Sequence, residues 1–137
     1  MMDSIISQCS MLPHNISHVF HGYTKNIEIL KFYAENHVDL FLNVSSTEGI
    51  PVSVIEAMSA GIIPVATDVG DTGELVDQDC GYLLNVEFSN DQLAYIISNV
   101  RLNDYANKRK KARLKWLSLY NAQVNYSRLS EILSGSS

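Results

Sequence analysis

Two carboxylates, Glu48 and Glu56, stand with seven residues between them around a glycine turn, in the stretch EGIPVSVIEAMSAG. Pro51 has no N–H and its φ suits the first helical position, so a helix is predicted to begin there and to end at Gly61 as the C′ residue. The amides of Gly49, Ile50, Val52 and Ser53 then precede the intrahelical bonding and sit at the positive end of the helix dipole, a ready site for a phosphate. Glu56 lies about 7.5 Å further along the axis, and helical side chains slant back towards the N-terminus. Its carboxylate is predicted to face the same site.

The pair resembles the E-x7-E signature of retaining GT-B glycosyltransferases, family 4 in particular. Around it, Val38 to Ser46 is similar to the family's hydrophobic strand, Glu56-Ala57-Met58-Ser59-Ala60-Gly61 to its EAMAxG segment, and Pro64-Val65-Ala66-Thr67 to its PVxAT strand. The resemblance covers roughly residues 18 to 104. It implies that Glu56 holds the ribose hydroxyls of a nucleotide-sugar, and that Glu48, the catalytic candidate, holds the donor sugar or its distal phosphate with the amides of Gly49, Ile50, Val52 and Ser53. The chain departs from the family's G-G-x-x-E at Gly70-Asp71-Thr72-Gly73-Glu74, and the upstream Arg/Lys pair that neutralises the pyrophosphate is missing, since no Lys or Arg precedes Lys25.

Tyr23 and Thr24 follow a segment ending in Gly22, and open α/β sheets bind ligands beyond their strand C-termini. The similar family loop lies by the donor cleft, which makes both residues donor-binding candidates beside the plain reading of a strand-to-helix turn. Asp77-Gln78-Asp79 looks like the metal-holding DxD of GT-A enzymes, but GT-B enzymes generally work without a metal, so no metal and no cofactor is expected. His14 and His18 are four apart without a third ligand. With His21 and His37 they read as structural or surface residues.

These groups need a scaffold. Ile5, Ile6, Cys9 and Leu12 predict a short helix over residues 3–11, and Ser17 to Tyr23 a brief strand stopped by Gly22. Thr24 or Asn26 is expected to cap a helix with Ile27, Leu30, Tyr33 and Ala34 on its apolar face. Strands follow at Val38–Val44, Ile62–Thr67 and Gly81–Leu84, and Ser89-x-x-Gln92 is a capping box before Leu93, Ile96, Ile97 and Val100. Strands alternating with helices predict an α/β, Rossmann-like, mostly parallel sheet with flanking helices, one half of a GT-B architecture. The segmentation is a nucleotide-sugar-binding domain over 1–104, C-terminal helices over 105–133 and a flexible tail over 134–137.

At 137 residues and 46% hydrophobic content the chain can bury a core, and its net charge of −5 hides an asymmetry. Residues 1–104 carry three Lys/Arg and 14 Asp/Glu, whereas residues 105–137 carry seven and one. So acidic a body argues against nucleic acid as a partner. The six basic residues from Lys108 to Lys115 are predicted to lie on an amphipathic helix docked through Trp116 and Leu119, which follow Ala112 at i+4 and i+7, with a solvated face as the default reading of the charges; an interdomain contact and an anionic membrane surface are the alternatives. Two cysteines without a motif, no basic n-region and no apolar run of about 20 residues predict a cytoplasmic protein, peripheral to the membrane at most.

The expected function is donor binding in a glycosyltransferase of cell-surface polysaccharide or glycolipid synthesis. Its partners are a nucleotide-sugar and an N-terminal acceptor domain that this chain lacks, so the fragment is expected to be inactive alone. A non-catalytic nucleotide-sugar-binding module or partner subunit, and a GT-B-type sugar epimerase, are the alternatives.

Overall fold

The computed structural model describes residues 1–47, 49, 51–120, 130, 131 and 133–135. Glu48 and Ile50, the catalytic candidate and one of the amide donors, lie outside the described residues. Three parallel strands, β1 (Leu40–Asn43), β2 (Ile63–Thr67) and β3 (Tyr82–Leu84), form a sheet in the order β1-β2-β3. Leu42 stands opposite Val65 and Ala66 opposite Leu83. All five residues of β2 are buried, as a central strand covered on both faces requires.

Helix α1 (Met2–Cys9) and helix α2 (Asn26–Glu35) precede the sheet, and neither contains a fully buried residue. Helix α3 (Val52–Ser59) crosses from β1 to β2, and the single turn α4 (Thr72–Leu75) lies between β2 and β3. Helix α5 (Asn90–Asn99) starts at the predicted capping box: Ser89 N–H donates to Gln92 Oε1 at 2.8 Å and Gln92 N–H to Ser89 Oγ at 3.2 Å. A 3-10 turn (Val100–Leu102), helix α6 (Tyr105–Lys115) and a π-helical turn (Trp116–Tyr120) follow. The core joins Val54 and Met58 of α3, Ala66 of β2, Leu75, Val76 and Cys80 of the β2–β3 connection, and Ala112 of α6, with Phe41, Ile55 and Trp116 packed against it.

Several local expectations are corrected. Residues 17–23 form no strand and join no ladder, and Val19 is 73% exposed. A strand exists only through its partner, and apolar content alone supplies none. The N-cap of α2 is Lys25 rather than Thr24 or Asn26: the Thr24 hydroxyl donates backwards to Gly22 C=O at 3.3 Å, and Glu28 Oε2 takes the Lys25 N–H, also at 3.3 Å. Pro51 sits at the N-cap of α3 with ψ 89°, so the helix begins one residue later, while the Pro51 carbonyl already accepts from the Val54 and Ile55 amides. Leu119 is 44% exposed, because the π-helical turn shifts it off the face that carries Ala112 and Trp116 to the core.

The other end of α3 follows expectation. Gly61 has φ +68°, its N–H donates to Met58 C=O, and the Ile62 N–H donates to Ala57 C=O. That is the Schellman arrangement, which turns the chain directly into β2.

Candidate functional site

Because α3 connects two parallel strands, its N-terminus lies at their carboxyl edge and its Schellman end at their amino edge. Asn43 and Thr67 end β1 and β2 at that carboxyl edge, and polar bonds fix the loops leaving it. The buried Thr67 hydroxyl donates to the Ser45 carbonyl, and Ser45 Oγ donates to Asn43 Oδ1 at 2.8 Å. Asp68 N–H bonds Leu84 C=O at 2.7 Å, so the exit from β2 is tied to β3. The Asp71 N–H then donates to Gly49 C=O at 3.3 Å and joins the turn before α3 to the turn after β2. Gly70 has φ +53°, a backbone shape suited to glycine.

On this edge, Val52 and Ser53 are exposed, and their amides precede the first intrahelical acceptor, which Pro51 supplies to Val54 and Ile55. Glu56 is half-buried further along α3. Burial pushes the phenol of Tyr33 above its ordinary value, and the Glu56 carboxylate adds to the rise. Tyr33, read from the sequence only as part of an apolar helix face, therefore belongs to the surroundings of Glu56. No spacing along the chain connects the two residues, so the sequence carried no signal for it.

Tyr23 and Thr24 line a cleft of about 620 Å3 between the 21–24 loop and α2, with Phe32 and Tyr33 on the helix side. Tyr23 is 95% exposed, and His21 meets Phe32 edge-on at 5.8 Å.

The charged residues of α6 serve the opposite edge. Arg109 donates to Val38 C=O at 2.5 Å just before β1, Arg113 to Ser59 C=O in the last turn of α3, and Lys108 to Gln78 C=O ahead of β3. Lys115 Nζ lies 3.0 Å from Asp77 Oδ2 and Lys111 Nζ 3.7 Å from Asp79 Oδ1. Burial works to raise the Asp77 carboxyl, but Lys115 and Cys80 outweigh it and leave it lowered. The solvated-face reading of this helix therefore gives way. Among the described residues Lys110 alone of the six basic side chains finds no partner on the body, and the helix is a clasp over the amino edge of the sheet.

The DxD-like segment is accounted for by the same contacts. Asp77 Oδ1 accepts the Asp79 and Cys80 amides at 2.9 and 3.1 Å while Oδ2 faces Lys115, so this carboxylate organises a turn and anchors a helix. Among the described residues no three His, Cys, Asp or Glu side chains converge as a metal site would require. No helix among them is long and apolar enough to cross a membrane.

Residues 3–115 match the family described as glycosyl transferases group 1. Over 85 residues the chain is 36% identical to the O-antigen biosynthesis glycosyltransferase WbnH of Escherichia coli, covering 62% of this chain and 24% of that protein. Among solved structures, sucrose-phosphate synthase from Thermosynechococcus elongatus superimposes on 99% of the chain with a TM-score of 0.73 at 18% identity, over 34% of its own length. The Anabaena protein HepE, solved in complex with UDP, superimposes on 71% of the chain and 28% of its own, with a TM-score of 0.61 at 23% identity. These two likenesses show the fold. The chain spans about a quarter of the length of WbnH.

Proposed function

The chain belongs to the glycosyl transferases group 1 family, and from that premise we propose that it is the donor-binding part of a retaining glycosyltransferase that moves a sugar from a nucleotide-sugar to an acceptor. The observation that carries this reading is the construction of the carboxyl edge. The bond from Asp71 N–H to Gly49 C=O holds the turn ahead of α3 in place, and the helix then presents free first-turn amides and a half-buried carboxylate, Glu56, along one path.

Each part has a task in the transfer. The Val52 and Ser53 amides, with that of Gly49, take the distal phosphate, where the helix dipole favours negative charge. Glu56 accepts from the ribose hydroxyls, and Glu48 acts beside the donor sugar. The anomeric carbon loses a nucleoside diphosphate, and stabilising the charge on that leaving group supplies much of the catalysis. Delivery of the acceptor on the face the nucleotide leaves gives retention. No metal or cofactor enters the scheme. Because five of the six cations of α6 are engaged at the amino edge, the positive charge for the pyrophosphate is assigned to another part of the enzyme, as is acceptor binding. The similarity to WbnH favours a step in O-antigen synthesis, carried out in the cytoplasm where nucleotide-sugars are made, and HepE makes UDP the first nucleotide to test.

The test is a thermal-shift screen of UDP-, GDP- and ADP-sugars on the full-length protein, followed by NMR of the anomeric configuration of the product. Stabilisation by one nucleotide class and a retained anomer are expected. No stabilisation by any of them, or an inverted product, overturns the reading.

A further inference from the structure

Tyr33 stands in the wall of two clefts at once. It lines the cleft of about 620 Å3 beside Tyr23 and Thr24, and also one of about 480 Å3 that separates α2 from Ser59, Ala60 and Gly61 at the end of α3. Ser59 is three residues beyond Glu56, so the two share a flank of α3, and that flank faces Tyr33. Glu56 slants from it towards the helix N-terminus, where the phosphate-binding amides are. Among the described residues no side chain donates a hydrogen bond to the Glu56 carboxylate, although it is half-buried. A half-buried carboxylate without a donor is free to swing, and a site that must read two ribose hydroxyls needs it held.

We propose that Tyr33 is a positioning residue for Glu56: its phenol O–H donates to one carboxylate oxygen in the nucleotide complex, which aims the other at the ribose. The inference rests on the donor-binding reading above. The influence of the Glu56 charge on the Tyr33 phenol supports the closeness that the shared flank requires.

The experiment titrates the full-length protein with UDP, GDP and ADP and with their 2′-deoxy counterparts, for the wild type and Tyr33→Phe. Removing one oxygen from a half-buried ring keeps the packing, so the unfolding temperature should change little. The variant is expected to bind the preferred ribonucleotide about fivefold more weakly, the worth of roughly one hydrogen bond, and to bind the 2′-deoxy form almost as the wild type does. Leu30→Ala opens the neighbouring cleft without touching a polar group. It should lower the unfolding temperature and leave the ribose preference as it was. Equal losses for both sugars in Tyr33→Phe, no loss at all, or an equal change of preference in Leu30→Ala would overturn the role of Tyr33. Failure of the wild type to bind any of the three diphosphates would instead overturn the donor-binding reading on which it stands.

Discussion

Arg101 donates to Asp39 Oδ2 at 2.8 Å while the Tyr105 hydroxyl donates to Oδ1 of the same carboxylate, with His37 Nε2 3.0 Å away. The start of β1 is thereby tied to the segment that leads into α6. The Tyr105 hydrogen bond first, then Arg101 and His37, outweigh burial and lower the Asp39 carboxyl to about 2. An unfolded aspartate titrates near 3.9, so the unfolded chain binds the proton first as the pH falls. The stabilisation is complete above about pH 4 and is lost as the pH drops towards about 2. Asp39→Asn should lower stability at neutral pH and flatten the acid limb between those values, as read from thermal unfolding against pH. An acid limb as steep as that of the wild type would contradict this assignment.

The pair of Lys115 and Asp77 predicts a salt-sensitive dock. Lys115 is only 19% exposed, so the pair is screened less than an open surface ion pair. A double-mutant cycle with Asp77→Asn and Lys115→Met should give a coupling of about 0.5–1 kcal/mol at low salt that shrinks at high salt. Additive effects at every ionic strength would show that this ion pair contributes nothing to the dock.

Two glycines should respond differently to a methyl group. At Gly61 an added Cβ meets the Arg109 carbonyl at 3.4 Å, an ordinary contact, so Gly61→Ala pays chiefly for φ +68°, about 1–2 kcal/mol. At Gly81 a Cβ would run into the Pro64 carbonyl and come within 2.8 Å of Pro64 Cγ and 3.0 Å of Val76 Cγ1. There the backbone of β2 must move, and Gly81→Ala should cost about 3 kcal/mol or more. Denaturant unfolding of the two variants tests the order, and equal losses would contradict it.

How much of this was legible beforehand depended on whether a signal was local. Helix α3, its Gly61 stop, strand β2 and the Ser89/Gln92 box are written in contiguous residues, and the structure has them with shifts of one residue. The strand at 17–23 failed because pairing is a property of two segments. The basic helix was legible as a helix docked through its apolar face, with Ala112 and Trp116 on the core, but the role of its charges was not. Lys115 reaches Asp77 and Arg113 reaches Ser59 C=O across the fold, and no spacing along the chain encodes such contacts. Tyr33 went unread for a similar reason, since its relation to Glu56 exists only once α2 and α3 are placed.

The glutamate pair carries the central claim, and it divides into two expected phenotypes in the full-length enzyme. Glu48→Gln should lower kcat and leave nucleoside diphosphate affinity within a few-fold, because an interaction made chiefly in the transition state appears in turnover. Steady-state transfer measured beside binding checks this, and a large loss of affinity would contradict it.

The most direct measurement is calorimetric titration of wild type and Glu56→Ala with UDP, or with whichever of GDP and ADP binds instead. Removing charge-assisted hydrogen bonds worth about 1.5–3 kcal/mol should weaken affinity roughly 10- to 150-fold. Binding by Glu56→Ala as tight as that of the wild type would contradict the account.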